Sequence, residues 1–396
     1  MPGFEWFGDE ERKEVMDVLE TGVLMRYGFD GARKGHWKAR AFEQELAGAL
    51  GVGYCHLCAS GTAALGVALA ACGVGAGSEV IVPPFTFVAT IEAVIFAGAV
   101  PVFADVDDTL CLDPTAIAAA VTPRTRAVIP VHMCGSMARI DDIAAVCRRH
   151  ELVLIEDACQ AVGGTYHGKA LGSFGQMGCF SFDPVKTITC GEGGGIITND
   201  AALYDTAHAF ADHGHDHIGS DRGLEKHPIL GLNLRISELN AAVGLAQLRK
   251  LPRILEVQRA HKNALKTRLE NIPGLAFRHV PDPAGDTATF LSLLFPDEDT
   301  ARRAGKALGA AGVDGCFYWY DNNWHYHRRW DHFKTLSAAA PVPLSLMVDR
   351  PDYGALDLPR SDGIIGRTLS MQIKLAWRPE EIEKRGAAME KVLRSL

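Results

Sequence analysis

Residues 151–200 read ELVLIEDACQAVGGTYHGKALGSFGQMGCFSFDPVKTITCGEGGGIITND. The apolar run Leu152-Val153-Leu154-Ile155 is short and tightly bounded, the pattern of a strand buried on both faces. It ends in Glu156-Asp157, which puts a carboxylate at the C-terminal end of a strand, where open α/β sheets hold their ligands. A glycine-rich connection follows, then a second strand-like run at 178–182, then Lys186 and the glycines of GEGGG at 191–195. Alone, a strand-end aspartate reads as a cap and a single lysine as a solvated side chain. Their order and spacing suit a pyridoxal phosphate (PLP) site, with the lysine as covalent anchor and the aspartate on the pyridine nitrogen.

Three motifs carry a resemblance. EDACQAVGG at 156–164, SFDPVK at 181–186 and GEGGGIITND at 191–200 resemble the central signature of the fold-type-I, PLP-dependent sugar aminotransferases of the DegT/StrS family. The likeness runs from the first residue to about 251 and, more weakly, to the C-terminus. It implies an α/β fold. A large, mostly parallel mixed sheet flanked by helices, with the N-terminal helices, would occupy residues 1–252. A connecting helix and a smaller α+β domain closing over the substrate would occupy 253–396.

The resemblance also implies roles. Lys186 and Asp157 are the catalytic pair, with Lys186 moving the proton once it is free. Gly61, Thr62 and Ser181 hold the cofactor phosphate, Phe87 stacks on the ring, and Gln160 contacts the phenolic-oxygen side. Asn233, in the G-x-N-x-R element at 231–235, reaches the phosphate of a neighbouring subunit, so the expected enzyme is a homodimer with shared active sites. Relatives that are sugar dehydratases carry a histidine where this chain has Lys186, which favours transamination.

Composition agrees with an ordinary globular enzyme. The 396 residues are 47% hydrophobic and 22% charged, with a formal net charge of −8, so no general electrostatic footprint for nucleic acid exists. No apolar run reaches membrane-spanning length, and the N-terminus turns acidic at once, without a secretory signal pattern. The 10 cysteines lack a framework spacing and read as reduced thiols of a cytoplasmic protein. Cys55 and Cys58 form one C-x-x-C with no second pair, and His213, His215 and His217 lack accompanying ligands, so no metal site is expected. The histidines read as a mobile polar loop near the active site.

Along the chain, strands at 79–83, 100–104, 127–131 and 152–155 alternate with helices near 84–97, 114–121 and 140–150, the signature of right-handed βαβ crossovers. Ser60 precedes a small-residue helix to about 72, whose first turn would offer N–H groups to phosphate. Helices at 239–251 and 253–272 follow, the second a connecting helix that ends at Pro273-Gly274, the expected domain boundary. The irregular segment 21–35, with Arg26, Tyr27, Phe29, Arg33 and Lys34, reads as a surface loop of possible function.

Substrate identity rests on less. Residues 315–326, GCFYWYDNNWHY, combine aromatic faces with amide and imidazole groups, which suits either a sugar or the small domain's own core. This segment and SMQIKLAW at 370–377 depart from common nucleotide-hexose enzymes. Together with MPGFEWFG, HMCGSM, DPVKTITCGEGG and DHGHDHIG, they resemble the family branch that aminates the C8 aldehyde of 8-oxo-3,8-dideoxy-manno-octulosonate, with glutamate as donor. That is Kdo8N synthesis for lipopolysaccharide. Such an acceptor carries a carboxylate, for which Arg235, His325 and Lys374 are candidate partners, with Tyr320 a further substrate contact. The alternative acceptor is a nucleotide-linked keto-hexose, and a PLP-dependent sugar dehydratase is a third reading.

Overall fold

A computed structural model describes residues 3–218 and 223–396. The first two residues of MPGFEWFG and the last of DHGHDHIG therefore lie outside the described residues.

The chain builds a seven-stranded sheet in the order β3-β2-β4-β5-β8-β9-β1. Its strands are β1 (Tyr54–Cys58), β2 (Glu79–Val82), β3 (Val100–Phe103), β4 (Thr125–Val128), β5 (Val153–Asp157), β8 (Met177–Ser181) and β9 (Gly194–Thr198). A short hairpin, β6 (Thr165–Tyr166) with β7 (Lys169–Ala170), interrupts the series. Pairings are parallel from β3 through β8, whereas β9 runs antiparallel to both β8 and β1. Six strands thus point the same way, as the alternating strand and helix pattern requires.

Helices cover both faces. They are α1 (Asp9–Thr21), α2 (Lys38–Leu50), α3 (Gly61–Ala71), α4 (Ala89–Phe96), α5 (Pro114–Ala120), α6 (Ile140–Arg149), α7 (Ala201–Phe210) and α8 (Glu238–Leu269). One core layer packs Leu65, Val67 and Leu69 of α3 and Ile91 and Val94 of α4 against the sheet; another packs Ile140 and Ile143 of α6 on the opposite face.

One expectation changes. Residues 238–269 form one 32-residue helix with Pro252 inside it, where two helices were expected. The apolar stripe of Leu245, Leu248, Leu251, Ile254 and Leu255 stays buried through the proline, and that packing offsets the one backbone hydrogen bond proline removes. The segment 21–35 is a packed loop, the default reading of it. Arg26 is buried and donates to the Leu57 carbonyl at 2.9 Å and to Glu43 at 2.6 Å. Arg33 is 1% exposed beside Glu238.

Helix α8 leads to a second sheet, in the order β10-β11-β13-β12, from strands Ala276–Phe277, Phe290–Leu294, Cys316–Tyr318 and Thr368–Gln372 with all pairings antiparallel. Its own core includes Leu291, Leu293, Leu369 and Met371 with Met389 of the C-terminal helix Pro379–Leu393.

Candidate active site

The common strand direction gathers the site. The C-terminal ends of β1, β2, β5 and β8 and the start of β9 all lie at one edge of the sheet, where each delivers a side chain or a helix start. Between them is a cavity of about 650 Å³, lined by Gly61, Thr62, Phe87, Asp157, Gln160, Ser181 and Lys186 among others. Seven of the expected cofactor residues are therefore brought together.

Asp157 is the last residue of β5 and 4% exposed. Strand alternation turns it to the cavity side and sends Glu156 to the other face. There Glu156 accepts from the N–H groups of Gly172, Phe174 and Gly175 at 2.8, 2.5 and 2.9 Å and faces His132 at 3.0 Å, so it anchors a loop. On the cavity side the Thr90 hydroxyl donates to Asp157 Oδ2 at 2.7 Å, and the Cys159 N–H donates to Oδ1 at 3.1 Å. Thr86 lies 2.7 Å from Thr90, which extends the hydroxyl chain. A buried carboxylate so oriented keeps capacity to accept one more N–H, the need of a protonated pyridine nitrogen.

At the other end of the cavity, Ser60 caps α3 by accepting from the Ala63 N–H at 3.0 Å. Gly61 sits against the end of β8, and a Cβ added there would lie 2.7 Å from Ser181 Cβ and 3.1 Å from its Oγ. Only glycine admits that approach. It leaves a helix N-terminus and a serine hydroxyl facing one space, an arrangement that suits a phosphate.

Lys186 is 7% exposed, with Nζ 3.6 Å from Asp183 and 5.8 Å from the Phe87 ring centre. The Gln160 side-chain oxygen accepts the Cys134 N–H at 2.8 Å, which fixes the amide and leaves its NH2 as the available donor. Amine, carboxylate, phosphate seat and amide donor converge on one cavity, and this set fits PLP. When bound, PLP supplies the electron sink for a carbanion at the amino carbon.

Residues 315–326 divide between the second sheet and the cavity. Residues Cys316–Tyr318 are a half-buried strand, and the following turn docks on the loop after β2. Thr86 and Val88 donate to the carbonyls of His325 and Trp324 at 3.0 and 2.9 Å. Trp324 and His325 thereby line the cavity. The Trp324 indole stacks on Phe87 with centroids 5.6 Å apart and planes 8° apart. His325 shares its Nδ1 with the Asn322 amide oxygen at 2.9 Å, which leaves Nε2 as an acceptor. Burial, reinforced by the Lys186 charge, brings its pKa down to about 4, so the ring is neutral.

The other expected substrate residues are elsewhere in the chain. Lys374 pairs with Asp314 at 2.7 Å in the small sheet's surface, where Arg385 joins the same carboxylate. Arg235 is engaged by buried Asp212, and Tyr320 packs between Tyr326 and Arg328. None of the three lines the cavity; Lys374 and Arg235 spend their charges on local carboxylates. Asn233 is exposed on the segment bridged to Asp212, outside its own chain's cavity. His217 stacks on His208 at 3.9 Å and His215 pairs with Glu225 at 2.8 Å, so these histidines pack beside α7 and not at the cavity. Sequence reasoning missed Thr86 and Thr90, and gave Trp324 only as part of the segment 315–326. The signal for Thr90 was its position three residues after Phe87, on the first turn of α4.

The sequence profile of the DegT/DnrJ/EryC1/StrS aminotransferase family matches residues 7–384. The chain belongs to this family. It is an aminotransferase, and its cofactor is PLP. Among family relatives, it is 37% identical over 339 residues to the UDP-N-acetyl-3-dehydro-alpha-D-glucosamine 3-aminotransferase of Acidithiobacillus ferrooxidans, a match spanning 84% of this chain and 89% of the relative. It is 44% identical over 211 residues to GDP-perosamine synthase of Caulobacter vibrioides, covering 53% of this chain and 56% of that one. The crystal structure of 3-amino-5-hydroxybenzoic acid synthase superposes with a TM-score of 0.83 at 30% identity, covering 100% of this chain and 99% of the other. Among the described residues, no helix of this family member is long and apolar enough to cross a membrane.

Proposed function

We propose that this DegT/DnrJ/EryC1/StrS enzyme transfers an amino group from glutamate to the carbonyl of a keto-sugar, with a nucleotide-linked keto-hexose as the acceptor. The observation that carries the transaminase chemistry is the convergence of Lys186, Asp157 and the Gly61–Ser181 approach on one cavity. Lys186 anchors the cofactor through Nζ; released, the same nitrogen takes the proton from the donor's α-carbon and later returns it to the acceptor's amino carbon. Asp157 holds the ring nitrogen protonated. Gln160 donates toward the ring oxygen, and Phe87 supplies an apolar face.

The nucleotide-linked acceptor is supported by the names of two relatives, which are a UDP-linked dehydro-sugar aminotransferase and a GDP-perosamine synthase. The octulosonate acceptor is the second reading, favoured by the residues that depart from common nucleotide-hexose enzymes. Trp324 and His325 stand at the cavity in that segment. An acceptor carboxylate would meet no cation from Lys374 or Arg235 of the same chain, since both are paired away from it.

The active unit is a homodimer in this reading. Asn233 is exposed and would complete the phosphate seat of a second copy. The test is a glutamate-dependent amination assay with a UDP- or GDP-linked keto-hexose against 8-oxo-3,8-dideoxy-manno-octulosonate. Product from the nucleotide sugar alone supports the main reading, and product from the octulosonate alone replaces it.

A further inference from the structure

The loop HMCGSM, residues 132–137, was absorbed by no functional role, yet it is held with unusual completeness. Cys134 and Gly135 both have left-handed backbones, with φ of 58° and 74°. Two successive residues of this kind turn their carbonyls away from regular partners, so each must be paired some other way.

Every one of these carbonyls is met by a side chain from the segment entering the second sheet. Arg278 donates to the Met133 carbonyl at 2.5 Å, Thr289 to that of Cys134 at 2.8 Å and Thr287 to that of Gly135 at 2.8 Å. Arg278 also reaches the Ser136 carbonyl at 3.4 Å, and the Ser136 hydroxyl donates to Asp286 at 2.6 Å. Thr287 and Thr289 are 0% exposed. A Cβ at Gly135 would lie 2.1 and 2.2 Å from the two threonine hydroxyls, so glycine is required there by space as well as by φ. The one N–H the loop directs toward the cavity, that of Cys134, is the donor that fixes the Gln160 amide.

We infer that Thr289 is a positioning residue for Gln160: Arg278 holds the carbonyl of the Met133–Cys134 peptide that carries the Cys134 N–H, Thr289 holds the next carbonyl, and together they fix the left-handed turn whose N–H orients the glutamine amide. The inference rests on the proposed placement of PLP in this cavity. It makes the second sheet a structural determinant of cofactor binding rather than only a cover. The segment 278–289 cannot shift without releasing the loop, because its side chains are the loop's hydrogen-bond partners. Replacing Thr289 by valine keeps the shape but leaves the Cys134 carbonyl buried and unpaired.

The experiment is a double-mutant cycle on the full-length protein, with Thr289→Val, Thr289→Ser, Gln160→Ala and the pair. PLP affinity is read by fluorescence titration, and the pH midpoint of the bound cofactor's absorbance is read alongside. The expected result is that Thr289→Val and Gln160→Ala each weaken PLP binding by about three- to tenfold. Both should move the midpoint upward, since a donor to the ionised ring oxygen is lost. Thr289→Ser should match the wild type, and the pair should be no worse than Gln160→Ala alone. Gln160→Ala moving both readouts while Thr289→Val moves neither overturns the inference, as does full additivity. Wild-type protein that takes up no PLP overturns the cofactor placement itself.

Discussion

The Thr90 hydroxyl donates to Oδ2 of Asp157 at 2.7 Å, from the first turn of a helix to the last residue of a buried strand. Thr90 is 1% exposed, so water cannot substitute for it. Replacing it with valine costs the carboxylate one of its two protein donors, a loss of about 1–3 kcal/mol when left unmade. We expect Thr90→Val to lower kcat about tenfold or more, with Thr90→Ser close to wild type; steady-state kinetics of the pair check it. Equal activity in all three removes Thr90 from the account.

Gly61 supplies a steric test. The alanine methyl would meet Ser181 Cβ at 2.7 Å and Cys159 Sγ at 3.2 Å, so the helix start or the strand end must move. Gly61→Ala should weaken PLP binding by about tenfold or more, while the melting temperature falls only modestly, since the loss is at the cavity and not in the core. Equilibrium dialysis against PLP measures this.

Desolvated histidines, His325 and His208 among them, set an acid limit on stability. Burial takes His325 down to about 4 and His208 down to about 3, each with help from neighbouring positive groups. Both are neutral in the native protein through the mildly acidic range, whereas the unfolded chain binds protons from about pH 6.5. The unfolded state therefore holds more protons between about pH 6.5 and 4, and stability falls as pH falls through that window. Thermal melts should show Tm dropping from about pH 7.5 to about pH 5, and His208→Gln should reduce the slope.

Trp324 separates acceptor binding from cofactor binding. Its indole is 56% exposed at the cavity and stacked on Phe87, an apolar face open to a sugar ring. Trp324→Ala should raise the acceptor KM about three- to tenfold. PLP affinity and reaction with glutamate should be unchanged. A loss of PLP instead would make Trp324 a support for Phe87.

Local order carried much of this into view. Strand, helix and glycine spacing around residues 151–200 placed Asp157 and Lys186, and Ser60 capped the helix where its hydroxyl predicts. What stayed hidden depends on contacts between distant segments. Residues 315–326 were legible as a sugar-facing candidate, but the backbone bonds that tie Trp324 and His325 to residues 86 and 88 were not. Lys374, an unpaired cation on paper, is spent on Asp314, 60 positions away in sequence. Two helices were expected on either side of Pro252, yet the apolar stripe around it carries one helix through the local cost of proline. The hold of Thr287 and Thr289 on the 132–137 loop has no signature in either stretch alone.

The central claim is that Lys186 and Asp157 serve glutamate-dependent transamination on PLP, and a single-turnover absorbance measurement tests it most directly. PLP-loaded protein is mixed with glutamate, without acceptor, and the spectrum is followed beside Lys186→Ala and Asp157→Asn. The account predicts conversion of bound PLP to pyridoxamine phosphate with release of 2-oxoglutarate in the wild type, and none in Lys186→Ala. In Asp157→Asn it predicts conversion slowed by about a hundredfold or more. Unchanged PLP in the wild type, or conversion in Lys186→Ala at the wild-type rate, would contradict it.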